Sequence, residues 1–137
     1  MVLFGCTREN AVRLSTPPAG AAITTVFVVS QQSPTEAGAV FARDRIARPS
    51  FTQVDVAIPP DYMPGDDLDG YVMTRHHSQD ARAFIAALAA QPGDDIVLYL
   101  HGFNTTSTEA VMRLAQMGHD FGRADGLALF SWASAAA

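Results

Sequence analysis

The segment HGFNTT, residues 101–106, is the part of the sequence whose residue types best fit catalysis. A glycine at position 102 permits a sharp turn that exposes backbone N–H groups. Thr106 and Glu109 are spaced as in a capping box, which predicts that a helix begins here with free N–H groups at its first turn. Such donors can stabilise an oxyanion, whereas on spacing alone an ordinary strand-to-helix turn explains the same residues.

Two groups of residues could bind metal ions, and both are weak candidates. The adjacent His76 and His77 have no evident third ligand, so solvated loop histidines are the simpler interpretation. The acidic run at 66–70 fails as a calcium loop, because Gly65 and His76 would occupy positions that require acidic side chains. The sequence therefore predicts no metal site and no cofactor.

Two further groups could take part in proton transfer or nucleophilic attack. His119 and Asp120 are neighbours on a predicted helix and do not face each other, so capping or orienting the helix end is the favoured role. Ser131 follows a predicted strand, where active-site residues gather in sheets of this kind. It has no evident base nearby, which makes it a poor nucleophile candidate.

Apolar patterning predicts the elements that position these residues. The alternation of strands and helices predicts an α/β fold with a mostly parallel sheet. The continuously apolar IVLYL at 96–100 is typical of a strand covered on both faces. Residues 61–77 are predicted as a polar loop. The predicted strands are 23–29, 51–58, 96–100 and 127–130, and the predicted helices begin at Ser78 and at Thr106.

Composition limits the classes of protein that need to be considered. The chain has 137 residues, a length that fits one domain, and 48% of them are hydrophobic. Fourteen acidic residues against nine basic ones give a net charge of -5. That balance argues against a protein that binds the phosphate backbone of nucleic acids. The single cysteine, Cys6, excludes an internal disulfide.

The second half of the chain resembles the oxyanion-loop region of α/β-hydrolases. More narrowly, it is similar to a bacterial esterase/lipase-superfamily family of unknown function. The resemblance covers roughly residues 24–134, with one departure at Ala133, where that family usually has proline. The matching motifs are VLYLHGFNTT ending at Thr106, the helix at 110–116, the pair His119–Asp120, and FSW-x-S at 130–134.

The resemblance implies a three-layer α/β/α sandwich of the α/β-hydrolase type. It also implies an oxyanion loop formed by His101, Gly102, Phe103 and Asn104, in which the Phe103 N–H is a donor and the catalytic histidine lies far downstream. None of the ten glycines is followed two residues later by serine, so the sequence contains no G-x-S-x-G. We therefore expect only the N-terminal half of the fold, from the first strands through the fourth, with the triad beyond the C-terminus.

The implied activity is that of a serine esterase or lipase acting on a small-molecule ester or acyl substrate. The alternative is a catalytically inactive binding or assembly module, because the strand at 96–100 would leave an open sheet edge through which the chain could self-associate. We expect residues 1–22 to be a flexible tail and residues 23–137 to be the hydrolase part.

The N-terminal residues Leu3–Cys6 resemble the end of a bacterial lipoprotein signal, although the charged and apolar regions of a signal peptide are missing. The sequence as written predicts a cytoplasmic protein. If translation starts upstream and Cys6 carries a lipid, the predicted location is the cell envelope.

Overall fold

The computed structural model of the protein describes residues 14–32, 45–122 and 126–133. The predicted lipidation site at Cys6 and the last residue of the FSW-x-S motif, Ser134, lie outside these residues. Within the described ranges, neither helix is long and apolar enough to cross a membrane. In chain order the elements are β1 (Ala22–Gln32), β2 (Arg45–Ile58), β3 (Val72–Gln79), α1 (Ala81–Ala89), β4 (Ile96–Leu100), α2 (Ser107–Asp120) and β5 (Gly126–Ser131).

The strands form one five-stranded sheet in the order β3-β2-β1-β5-β4. β5 pairs in parallel with both β1 and β4, whereas β2 pairs antiparallel with both β1 and β3. The predicted α/β class is confirmed, but the sheet is mixed rather than mostly parallel. The connection between β2 and β3, residues 59–71, contains no helix, so these consecutive strands turn back and pair as antiparallel neighbours.

One helix packs on each face of the sheet, which gives three layers. Alternation along β1 sends Val26 and Val28 to the face under α2 and Phe27 to the opposite face. On that opposite face the Phe84 ring of α1 lies against Phe27 and Phe51, with ring centroids 5.6 and 5.3 Å apart. The larger core, under α2, includes Val26, Val28, Val54, Val56, Ile58, Met73, Val111, Leu114, Leu127 and Leu129.

β3 is a strand where the sequence predicts a loop at 61–77. Its sequence VMTRHHSQ is polar, and only Met73 is fully buried. The strand exists because it pairs antiparallel with β2 along most of its length, at the edge of the described sheet. Edge strands are commonly polar, so the prediction was wrong because the hydrophobic pattern carries no signal at such a position.

Helix α1 begins later than the predicted start at Ser78. Ser78 lies in β3, and the pairing with β2 extends one residue further, to Gln79 opposite Phe51. The N-cap is Asp80, whose carboxylate accepts a hydrogen bond of 2.8 Å from the Ala83 N–H. Both serine and aspartate can cap a helix, and pairing of the strand decides between them here.

Helix α2 and strand β4 keep their predicted bounds, although β4 is not covered on both faces. Thr106 is the N-cap of α2 and accepts from the Glu109 N–H at 3.1 Å, as predicted. Ile96, Leu98 and Leu100 of β4 are 56%, 63% and 61% exposed. They share the sheet face on which α1 lies, and α1 leaves each of them more than half exposed. The predicted fourth strand, at 127–130, is β5, the fifth along the chain, because β3 precedes it.

Candidate functional site

His101 follows β4 directly and is buried at the carboxyl ends of the parallel strands. Its Nδ1 atom lies 2.9 Å from the carbonyl oxygen of Gly102, and its Nε2 atom lies 3.2 Å from the Ser131 hydroxyl. A carbonyl oxygen can only accept, so Nδ1 carries a proton. In the neutral imidazole Nε2 then accepts a hydrogen bond from Ser131.

The Ser131 hydroxyl continues into a buried polar chain that joins four elements. Its oxygen lies 2.6 Å from the hydroxyl of Ser107, the first residue of α2. Ser107 in turn hydrogen-bonds the side-chain amide of Gln32, the last residue of β1. We call His101, Ser131, Ser107 and Gln32 the buried polar chain. All four are buried, and Ser131 is 0% exposed. The expectation that Ser131 has no base nearby was wrong, because the fold brings in His101 from 30 residues away.

The number of available hydrogens determines which group donates in each hydrogen bond of the buried polar chain. Its three links need three hydrogens, and the two serine hydroxyls supply two. The structure turns the Gln32 side-chain carbonyl oxygen towards Ser107, which donates to it. In that orientation one link lacks a hydrogen while His101 is neutral. If the amide is turned by 180° so that its N–H₂ faces Ser107, each group donates to the next, ending at His101 Nε2. Side-chain amides are oriented by such networks, and this second orientation satisfies every link.

The indole ring of Trp132 packs against the face of the His101 ring. The indole and imidazole rings are stacked, 3° from parallel, with centroids 5.5 Å apart. The indole N–H donates to the His101 carbonyl oxygen at 3.2 Å. Both the ring and the peptide of His101 are therefore fixed, and the loop that follows starts from a rigid position.

The loop after His101 reaches solvent. Gly102, Phe103 and Asn104 are exposed, and the Phe103 side chain is 70% exposed. Gly102 is not among the glycines with positive φ, and an added Cβ would meet only Thr105 Oγ1, at 3.8 Å. The turn itself therefore does not require glycine at position 102. The loop places an accessible backbone segment just before the N-terminus of α2, where unpaired N–H groups favour negative charge.

The predicted metal candidates are not brought together. Among the described residues, no group of three or more histidine, cysteine or acidic residues is placed to hold a metal ion. His76 and His77 are successive residues of β3, so their side chains leave the strand on opposite faces. Burial lowers the pKa of His76, and the charge of His77 lowers it further.

His119 and Asp120 do not form a dyad with each other but contact the same tyrosine. Both carboxylate oxygens of Asp120 accept from the Tyr62 hydroxyl, at 2.8 and 2.9 Å, and the His119 ring lies against the Tyr62 ring. Gln116 donates to the Tyr62 hydroxyl at 3.1 Å and to the Asp66 carbonyl at 2.8 Å. The end of α2 thus anchors the acidic loop at 59–71.

Sequence reasoning missed Gln32, Ser107 and Trp132. Gln32 and Ser107 are 75 residues apart, and nothing in their local sequence marks them as partners. The predicted elements did contain one usable signal. All three residues lie at the carboxyl end of a parallel strand or at the start of a helix, and such positions converge at one edge of an α/β sheet.

Part of the chain matches a known protein family. Residues 76–137 match the sequence profile of a family described as alpha/beta hydrolase of unknown function (DUF900). No curated protein and no solved structure matches the chain. The matched residues begin within β3 and include β4, the 101–106 loop, α2 and β5, which is the region that carries the motifs found in the sequence. The resemblance to an α/β-hydrolase family of unknown function is therefore confirmed for residues 76–137.

Proposed function

We propose that this chain provides the oxyanion loop of a serine-type hydrolase that acts on carboxylic esters. The observation that carries the proposal is the contrast within four residues: His101 is buried and held by three partners, whereas Gly102, Phe103 and Asn104 are open to solvent. Such a loop presents its backbone N–H groups to solvent from a starting residue that is held by hydrogen bonds. Donors fixed in advance stabilise developing charge without reorganisation.

In this proposal the Phe103 N–H donates to the carbonyl oxygen of the ester as that oxygen becomes negative. The N-terminus of α2 adds a partial positive charge from the same side. His101 acts on the loop and not on the substrate, because both of its ring nitrogens are already engaged in hydrogen bonds. Asn104 completes the exposed part of the loop.

Ester hydrolysis also needs a residue that attacks the carbonyl carbon of the ester. The sequence contains no G-x-S-x-G. Ser131 has a histidine nitrogen 3.2 Å from its hydroxyl, the arrangement of an activated nucleophile, but it is fully enclosed. Hydrolysis therefore requires a serine other than Ser131, or displacement of the α2 terminus that covers it.

Ester hydrolysis by the purified 137-residue chain tests the proposal. The substrates are p-nitrophenyl acetate and p-nitrophenyl butyrate, and the variants are Phe103→Pro, which removes the N–H donor, and Phe103→Ala, which keeps it. We expect Phe103→Pro to lose roughly 10²–10³-fold in kcat, the cost of one oxyanion donor. Phe103→Ala should stay close to the wild type in kcat.

Two outcomes contradict the proposal. A wild-type chain that releases p-nitrophenol no faster than buffer does not hydrolyse esters. Equal rates for the proline and alanine variants would show that the N–H of residue 103 is not a donor. Ser131→Ala belongs in the same series, since turnover that survives in that variant would show that Ser131 is not the attacking residue.

A second candidate function, a binding or assembly module without catalysis, is favoured by a different observation. β4 has one hydrogen-bonded neighbour in the described sheet, and its three exposed side chains are all large and apolar. Edge strands of this composition pair readily with other chains. A folded chain with no ester turnover that forms a defined oligomer would support this function.

A further inference from the structure

The hydrogen bond between His101 and Gly102 holds a peptide group, and the same peptide group includes the Phe103 N–H. The Nδ1 atom of His101 lies 2.9 Å from the Gly102 carbonyl oxygen. That carbonyl and the Phe103 N–H belong to one planar unit, which is trans like every described peptide bond. In a trans peptide the two groups point in opposite directions. The bond that draws the carbonyl towards the buried imidazole therefore turns the Phe103 N–H away from it.

Only one of the two neutral tautomers of His101 can hold the peptide in this direction. With the proton on Nδ1, the ring donates to the Gly102 carbonyl oxygen. With the proton on Nε2, the lone pair of Nδ1 would face the lone pairs of that oxygen, which is repulsive. Rotation of the peptide would then be favoured, because it offers the Phe103 N–H to Nδ1 as a donor. The tautomer thus selects the direction in which the N–H points.

We propose that Gln32, Ser107 and Ser131 are positioning residues that fix the tautomer of His101 and thereby the direction of the Phe103 N–H. They act through the hydrogen bonds of the buried polar chain and not on a substrate. The use of that N–H as an oxyanion donor rests on the proposed function, whereas the tautomer and the direction of the peptide do not.

The direction of donation is passed from one end of the buried polar chain to the other. A hydroxyl that accepts one hydrogen bond of the chain donates in the next, so all three bonds run the same way. With the Gln32 amide turned so that its N–H₂ donates to Ser107, Ser107 donates to Ser131 across 2.6 Å. Ser131 then donates to Nε2 of His101 across 3.2 Å. Nε2 accepts only without a proton, so the proton of the neutral ring is on Nδ1.

Burial makes the buried polar chain the determinant of the tautomer. Each of its four members is no more than 4% exposed, so solvent does not supply a substitute partner. The main chain of Gln32 is also fixed, because its N–H donates to Ser30 Oγ at 2.9 Å and its carbonyl accepts from Ser50 Oγ at 3.1 Å. The end of the chain at Gln32 is therefore a fixed group that can be altered without a change to any residue of the loop.

Gln32→Glu tests the proposal, because it replaces an amide by a carboxylate of the same shape that can only accept. At about pH 9.5, above the pKa of about 8–9 that buried glutamates reach, the carboxyl is ionised. Ser107 then donates to the carboxylate and Ser131 donates to Ser107. His101 has to donate from Nε2, and histidine side chains are neutral at this pH, so Nδ1 loses its proton.

Long-range proton–nitrogen NMR of the imidazole reads the tautomer, since a protonated ring nitrogen resonates far from a bare one. We expect Nδ1 of His101 to be protonated and Nε2 bare in the wild type, and the reverse in Gln32→Glu. The Gly102 carbonyl carbon and the Phe103 nitrogen share one cross-peak in a carbon-detected spectrum, which needs no amide proton. That cross-peak should move in Gln32→Glu, because the peptide rotates.

The double variant Gln32→Glu/Ser107→Ala is the matched control. It keeps the carboxylate and breaks the chain between that carboxylate and Ser131. We expect Nε2 of His101 to be bare again and the Gly102–Phe103 cross-peak to return to its wild-type position. A direct effect of the added charge would persist in the double variant and would overturn the proposal.

Two further results contradict the proposal. One is a wild-type spectrum at about pH 9.5 in which Nε2 of His101 is protonated, since histidine is neutral there and the chain would run the other way. The other is a Gln32→Glu chain that is folded by far-ultraviolet circular dichroism and keeps the wild-type tautomer. If that variant does not fold, Ser131→Ala takes its place. It removes the donor to Nε2 and should give a mixture of both tautomers, whereas a pure Nδ1–H form would overturn the proposal.

The result is independent of the ester assay. If p-nitrophenyl esters are not hydrolysed and the tautomer reverses in Gln32→Glu, hydrolysis fails and the positioning role stands. If Phe103→Pro loses turnover and the tautomer does not respond to Gln32→Glu, the positioning role fails and hydrolysis stands. If both stand, Gln32→Glu should lower kcat by roughly 10²–10³-fold, as the loss of one oxyanion donor does.

Discussion

β4 and β5 are neighbouring parallel strands of similar length and apolar composition, yet the side chains of β5 are buried and those of β4 are largely exposed. β5 lies between β1 and β4, and five of its six residues are buried. β4 has only β5 beside it, and every second side chain faces solvent. The difference comes from position in the sheet. A strand flanked on both sides and covered by α2 buries its residues, whereas a strand of the same composition at the edge does not.

Truncation of one leucine in each strand tests this difference in burial most directly. Leu129 of β5 is fully buried in the core under α2, so Leu129→Ala should lower the free energy of unfolding by about 2–5 kcal/mol. Leu98→Ala in β4 should change it by no more than about 0.5 kcal/mol at low protein concentration. Urea denaturation followed by circular dichroism measures both. Equal losses would mean that β4 is as well covered as β5.

The ends of the two strands can be compared through the hydrogen bond between Ser131 and His101. Ser131→Ala removes the partner of His101 Nε2 at a fully buried position, and we expect a loss of about 1–3 kcal/mol in the free energy of unfolding. Ser78→Ala, an exposed serine in β3, is the control and should have little effect. If the two alanine variants unfold at the same urea concentration, the buried polar chain does not stabilise the fold.

The smallest effect is expected at the opposite edge strand, β3, and depends on pH. Burial lowers the pKa of His76 in the folded state below its unfolded value near 6.5, and the charge of His77 acts in the same direction. The unfolded state therefore binds more protons, so stability is complete above about pH 6.5 and falls as the pH is lowered through the pKa of the folded state.

His76→Asn removes that titration and should flatten the decline in stability between about pH 7.5 and pH 5. Ser78→Asn, at an exposed residue of the same strand that does not titrate, should leave the slope unchanged. The midpoint of urea unfolding at several pH values measures the slopes. A steeper decline in His76→Asn than in the wild type would contradict the direction of the shift.

Elements with strong local signals could be predicted from the sequence. The β-branched run near Val26, the apolar run at 96–100 and the Thr106–Glu109 capping box each specify an element through residues close together in the chain. β3 could not be found in this way, because its polar residues form a strand only through pairing with β2. The exposure of Leu98 was missed for the related reason that an apolar run does not report how many neighbours a strand has.

The position of the candidate loop was predictable, but its support was not. Residues 101–106 stand out through glycine, the strand before them and the cap after them. His101 contacts Ser131 of β5, and Ser131 is linked through Ser107 of α2 to Gln32 of β1. Ordinary serine and glutamine side chains give no sign of burial in a sequence. Only the convergence of strand ends in three dimensions turns them into a connected group.

The stacking of Trp132 on His101 also makes the intrinsic tryptophan fluorescence of the protein sensitive to the state of the candidate loop. Trp132 is the only tryptophan in the chain, so all indole emission comes from one ring in contact with the base of the candidate loop. A ligand that displaces the loop, or a substitution that releases the imidazole, will change the wavelength or intensity of that emission with no other indole to obscure it. Binding at the loop can therefore be followed by fluorescence titration without a label and without turnover.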